Sequence, residues 1–167
     1  MRNTSFRQTH RFVLTAEFLT AAVIAIVLAA FAIVLVAVRP ALHVAAEDIP
    51  AHHTTAPTGT LPDTVDPKTF QDGLTQNAYA MAAKIKAVLY EQPCYCFCDK
   101  ADGHTSLLDC FESNHASMCN ICRMEAIFAY EQTRKGQTAA QIRKEIIRGD
   151  WKKLNPRNYD IPRDLPN

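Results

Sequence analysis

All six cysteines of the chain fall between Cys94 and Cys122, and two histidines lie among them. The order is Pro93-Cys94-Tyr95-Cys96-Phe97-Cys98, then His104, Cys110, His115 and Cys119-Asn120-Ile121-Cys122. Thiolate is a soft donor that selects Cu(I), Zn and iron–sulfur centres. Imidazole joins it readily on Zn or Cu. In extended chain the three thiols of the Cys-x-Cys-x-Cys run share one face, with alternate Cα atoms ~7 Å apart. Disulfides need Cα separations of about 4.4–6.8 Å, so pairing inside an extended run requires a sharp bend. Three same-face sulfurs are better suited to converge on a common partner.

Cys119 and Cys122 supply a second group. Placed in the first turn of a helix, they put both sulfurs on nearly one face, where free N–H groups and the helix dipole lower a thiol pKa. His115 joins them if that helix extends back four residues. Cys110, flanked by Leu108 and Phe111, is expected to point inward. The Gly103-His104 turn can aim an imidazole back at the run. Three chemistries compete: a soft-metal centre, a dithiol relay in which Cys119 or Cys122 attacks and the triple run resolves, and three structural disulfides.

An extracytoplasmic location favours oxidation of thiols, and the spacing alone does not choose a pairing. The triple run favours the metal reading. Its ligand set is Cys94, Cys96, Cys98, Cys110, Cys119, Cys122, His104 and His115, with no catalytic residue assigned. Six thiolates exceed the four of a structural zinc site. Copper(I) is therefore the first expectation and zinc the second, with no metal at all if the cysteines are disulfide-bonded.

The elements that must position these residues read as helices. Asp66-Pro67 is a helix start, and Gly73 weakens the stretch after it. Over residues 75–91 the apolar positions Ala78, Met81, Ala82, Ile85, Val88 and Leu89 follow helical spacing, and Pro93 stops the helix before Cys94. A short helix is expected over 106–113. A longer one starts at Ser117 or Cys119 and ends at Gly136. Thr138-Ala139-Ala140-Gln141 matches a capping box and opens a last helix to Arg148. No segment alternates with period two. The fold expected is a small all-α, cysteine-rich domain over residues 67–153, followed by an irregular tail over 154–167.

The rest of the chain reads as attachment. Residues 18–38 carry no charge, and all but Thr20 are hydrophobic. At about 1.5 Å per residue such a run reaches across a hydrocarbon core. Arg2, Arg7 and Arg11 precede it, which places residues 1–17 in the cytoplasm by the positive-inside rule. A signal peptide cleaved near Val44-Ala45-Ala46 is the competing reading, but its apolar region would span only about 7–15 residues. Residues 39–66 hold four prolines and five threonines and are expected to form a spacer, with His52-His53 a solvated pair.

The 48% hydrophobic content therefore describes no single domain. Without the apolar run it falls to roughly 41%, below the ~45–50% of globular chains. Net charge is +1, and no nucleic-acid footprint appears. Between Cys94 and Cys122 four acids face Lys100 alone, which favours a cationic ligand. The basic stretch 134–157 reads as a solvated helix face.

These residues resemble the PCYCGC-motif family, also described as CYCXC family (seleno)proteins. The matching pieces are Pro93-Cys94-Tyr95-Cys96-Phe97-Cys98, the stretch from Gly103-His104 through Ser106-Leu107 to Asp109-Cys110-Phe111, and His115-Ala116-Ser117 with Cys119, Ile121 and Cys122. The Gly136 break and Ile142-Arg143 also look alike. The resemblance covers residues 60–150 and implies a small bacterial extracytoplasmic module, often lipid-anchored, with selenocysteine in the triple run of some relatives. Two departures stand out. Phe97 occupies the place of the motif glycine and limits close backbone approach there, and an apolar span replaces a lipobox. The expected protein is a single-pass component of the bacterial cytoplasmic membrane, N-terminus in, with its cysteine domain in the periplasm. It would sequester or deliver soft metal rather than catalyse, alongside an extracytoplasmic metal-handling or redox partner and without nucleic acid.

Overall fold

The computed structural model describes residues 24–29 and 49–164, which belong to two units, Met1–Ala46 and Glu47–Asn167. In the first unit residues 24–29 are helical, with Ile24, Ile26, Val27 and Leu28 exposed. No helix among the described residues is long and apolar enough to cross a membrane. The expected segments 1–17, 18–23, 30–38 and 39–48, with the Val44-Ala45-Ala46 site, lie outside the described residues.

The second unit is helical, without a strand among the described residues. Helix α1 is Gly73–Lys84, opened by Asp72, whose side chain accepts from the Thr75 N–H at 2.8 Å. Helix α2 is Lys86–Tyr90. The single helix expected over 75–91 is thus broken at Ile85, whose φ of −127° and ψ of 31° leave the helical region. The break lets Leu89 and Gln92 both become fully buried. The Gln92 side-chain amide then donates to Val88 O and Ala139 O, and its backbone carbonyl accepts from the Leu107 N–H. No glycine or proline marks this break, because tertiary packing makes it.

A short helix α3, Cys98–Ala101, lies within the motif. The helix expected over 106–113 is a 3-10 turn, Leu108–Phe111, and a second such turn spans His115–Met118. Helix α4, Asn120–Arg134, starts from Cys119 as its cap residue. It ends in a Schellman arrangement: Gly136 has φ 83°, its N–H bonds Thr133 O, and the Gln137 N–H bonds Gln132 O. Helix α5, Ala139–Ile147, opens with the expected capping box of Thr138 and Gln141. Helices α1 and α4 form the principal packed pair. Their core joins Ala78, Tyr79, Met81 and Ala82 to Met124, Ile127 and Phe128, with Ile142 and Ile146 of α5 added.

Residues 49–66, expected as a solvated spacer, instead run as a strap along this unit. The His53 ring stacks on Tyr90 at 3.7 Å, and the Ala51 N–H donates to Asp99 Oδ2. The Val65 N–H bonds Phe111 O, and Leu61 and Val65 pack against the core. Composition misses this because a few apolar and aromatic residues suffice when an apolar groove waits for them. Arg143 of α5 clamps the strap and the pre-motif chain together: its guanidinium pairs with Glu91 at 2.8 Å and also donates to Glu91 O and His53 O.

The tail is likewise anchored. The buried Asn77 amide donates to Tyr159 O and Ile161 O and accepts from the Arg163 N–H. Gly73 explains itself here, since a Cβ at that position would lie 1.9 Å from Asp160 O.

Candidate metal centre

The cysteine run is not extended. The Phe97 N–H donates to Cys94 O at 3.1 Å and closes a turn, and α3 begins at Cys98. Phe97 carries this turn at φ 58°, ψ 32°, the one non-glycine residue at positive φ among those described. The motif glycine is therefore a conformational requirement, not a matter of close approach. The Phe97 side chain points outward, 36% exposed, under the Lys100 ammonium and edge-on to Tyr95. For an L-residue the left-handed region costs roughly 1–2 kcal/mol. The exposed cation–π contact returns only about 0.5–1 kcal/mol. Phe97→Gly is therefore expected to leave the turn intact and raise domain stability by about 0.5–1 kcal/mol, read as a higher midpoint in urea. A drop of that size or more would show that the aromatic contacts outweigh the strain.

The turn brings the sulfurs together by a route the extended chain does not offer. Cys94 Sγ lies 3.3 Å from Cys96 Sγ and 3.4 Å from Cys122 Sγ, and Cys96 to Cys122 is 3.5 Å. Cys98 Sγ lies 3.4 Å from Cys110 Sγ, which is 3.3 Å from His104 Nδ1. Cys98, His104, Cys110 and His115 offer ligand atoms all within 4.8 Å of one another, as do Cys94, Cys110 and Cys122, or Cys94, Cys96 and Cys98, or Cys96, His115 and Cys122. Cys119 stands at the edge, interacting electrostatically with Cys122 and Cys96. Seven of the eight predicted side chains thus meet, and Cys119 flanks them.

Every cysteine is a free thiol, and the sulfur separations far exceed the ~2.05 Å of a disulfide. They fall slightly below the ~3.8 Å edge of a tetrahedron with Zn–S bonds of about 2.3 Å. Expansion by a few tenths of an ångström seats an ion. These groups of Cys and His can hold a metal ion.

Each ligand has a structural reason for its place. Cys94, Cys98, Cys110 and Cys122 are buried, whereas Cys96 and Cys119 are half-buried. His115 does not sit on α4, as the sequence reading required. It stands on the 3-10 turn before it, and its Nδ1 lies 3.8 Å from Asp102 Oδ2. Gly103, at φ 73°, turns the chain that presents His104 as expected. Tyr79 of α1 donates to Ser113 O and packs edge-on against Phe111, fixing the loop between Cys110 and His115. Arg123 ties the first turn of α4, and hence Cys122, to Thr75 at 2.8 Å.

Thiol proton affinities are unequal across the cluster. Cys96 is pulled down because Cys110, Cys119, Cys122 and Cys94 give it hydrogen bonds. Cys110 is pushed up by its contacts with Cys122, Cys94, Cys96 and Cys98 and by burial.

One residue escaped the sequence reading. Glu125 of α4 is fully buried, and both its carboxylate oxygens accept from the Tyr95 N–H, at 3.1 and 3.3 Å. It holds the motif turn against α4, and burial pushes its carboxyl up to about 8. The available signal was an acid on the apolar face of α4, one turn after Cys122.

A cavity of about 600 Å³ opens beside His104, with Asp109 and Glu112 in its wall. Burial and the neighbouring Asp109 charge hold the Glu112 carboxyl above its ordinary range.

A family model described as a protein of unknown function with PCYCGC motif matches residues 38–164. The chain belongs to this PCYCGC family. Its match begins before the strap and ends after the anchored tail, so the family unit extends beyond the resemblance over 60–150. No curated protein and no solved structure matches the chain.

Proposed function

We propose that this PCYCGC protein is a membrane-anchored, extracytoplasmic binding protein for a soft metal ion, Cu(I) foremost, which it sequesters or hands on. The observation that carries this reading is the convergence of five free thiols and two imidazoles from separate segments, with four of the sulfurs buried. Sulfur-rich donor sets favour Cu(I) and Zn over harder ions. The acidic wall beside His104 gives a cation an approach. The apolar run over 18–38 with arginines before it supports a single membrane span with the cysteine domain outside, in a bacterium. The partner would be another extracytoplasmic metal-handling or redox protein.

Elemental analysis of the full chain, purified in detergent under anaerobic reducing conditions and offered Cu(I) or Zn(II), tests the reading. Tightly held metal, with Cu(I) displacing Zn(II), is expected. Absence of metal, together with three protected disulfides in peptide mapping, would overturn it in favour of a disulfide-stapled module.

A thiol–disulfide redox role is the second reading. It draws on the 3.4 Å approaches of Cys94 to Cys122 and of Cys98 to Cys110. It requires a Cys119→Ser or Cys122→Ser protein to trap a mixed disulfide with a partner.

A further inference from the structure

We infer that the centre is built for two metal ions in unlike sites, one all-sulfur and one sulfur–imidazole, with Cys110 forming the wall between them. This rests on the metal-binding reading above and adds the number of ions and the character of each site.

Seven of the donors fall into two adjoining sets, with Cys119 beside the first and Cys98 also within 4.8 Å of Cys94 and Cys96. Cys94, Cys96 and Cys122 form a nearly equilateral sulfur triangle with edges of 3.3, 3.4 and 3.5 Å. Cys119, a neighbour of both Cys96 and Cys122, stands beside it as a fourth thiol. Cys98, Cys110, His104 and His115 form the other set, with Cys98 and His104 at 3.4 and 3.3 Å from Cys110. The two imidazole rings lie 4.8 Å apart between centroids. One tetrahedral ion takes four ligands, so either set completes one ion and leaves the other set over.

Charge supports the same division. A single monovalent ion offsets one thiolate, so the remaining buried sulfurs would stay neutral thiols and take little part in binding. A second cation compensates further thiolates, so that the other donor set can also give up its protons. The sets are continuous, because Cys110 lies within 4.8 Å of both Cys94 and Cys122, and His115 within 4.8 Å of Cys96 and Cys122. Donor softness then assigns the occupants. The thiolate-only set suits Cu(I), and the two-sulfur, two-nitrogen set suits Zn(II).

Cd(II), which accepts both donor sets, is the probe. The reduced full chain in detergent is titrated with ¹¹³Cd(II), and bound cadmium is counted by mass spectrometry and resolved by ¹¹³Cd NMR. Two equivalents and two resonances are expected, the more deshielded from the all-sulfur set. The His104→Ala/His115→Ala protein should retain one equivalent and only the deshielded signal. The Cys94→Ser/Cys122→Ser protein should retain one equivalent and only the other signal. Circular dichroism checks that each variant is folded; if the buried serine pair unfolds the domain, the histidine pair at the half-buried edge decides alone. One equivalent in the parent protein would overturn the two-ion division while leaving metal binding intact. So would two equivalents that vanish together in the histidine variant. No bound cadmium at all would instead overturn the metal reading.

Discussion

The Cys110→Ser protein is expected to lose metal affinity by on the order of 100-fold or more while keeping its fold. Outer-shell partners alone are worth about 10–100-fold, and Cys110 occupies a more central place than any of them. It is fully buried, touches Cys98 and His104, and lies within 4.8 Å of Cys94 and Cys122. Serine nearly matches its volume, and a hydroxyl there keeps hydrogen-bonding neighbours, so the metal-free domain should change by only about 1 kcal/mol. Competition against a Cu(I) chelator measures the first quantity and urea unfolding of the reduced, metal-free protein the second. An affinity equal to that of the parent would remove Cys110 from the centre. A collapse of metal-free stability would show that its role is packing.

The second large effect concerns pH and Glu125. Its carboxyl rises from 4.5 to about 8 in the folded domain because burial penalises the charge. Between those values the native state holds a proton that the unfolded chain has released. Stability from this group is therefore complete below pH 4.5 and is lost as pH rises toward 8. At 1.36 kcal/mol per unit the loss is on the order of 4 kcal/mol. The reduced, metal-free domain should consequently unfold at lower urea at pH 8 than at pH 5. Glu125→Gln keeps an oxygen for the Tyr95 N–H and removes the titration. The variant should show a flatter profile and gain most at pH 8, and the difference between the two proteins isolates Glu125 from the thiols that titrate nearby. Identical profiles would mean that Glu125 is ionised throughout and stabilised by contacts beyond the Tyr95 amide.

Both effects arise where the chain is least regular. Cys94, Cys96 and Cys98 were legible as donors, but the way they converge was not. Alternation along extended chain predicts one face, whereas the real arrangement is a turn closed by the Phe97 N–H and held in the left-handed region. The motif's glycine position carried that information, and phenylalanine at 97 obscured it. His115 shows a similar displacement: its contribution was foreseen through a longer α4, yet it arrives on a separate 3-10 turn beside Asp102. The capping box of α5 and the Gly136 stop were read correctly because each is a local hydrogen-bonding pattern complete within a few residues. The break at Ile85 has no local signature.

The sequence by itself determined which sulfur and imidazole donors are available, the helical character and the place of the cysteine module. These follow from donor types, from periodicity and from caps, all short-range properties of the chain. Only the tertiary structure decided that residues 49–66 strap the domain, that Gly73 clears a path for the tail, that Glu125 backs the motif turn and that Cys110 stands between two donor sets. Each of these depends on contacts between residues far apart in the chain, and their geometry is set by how α1 and α4 pack rather than by any local preference.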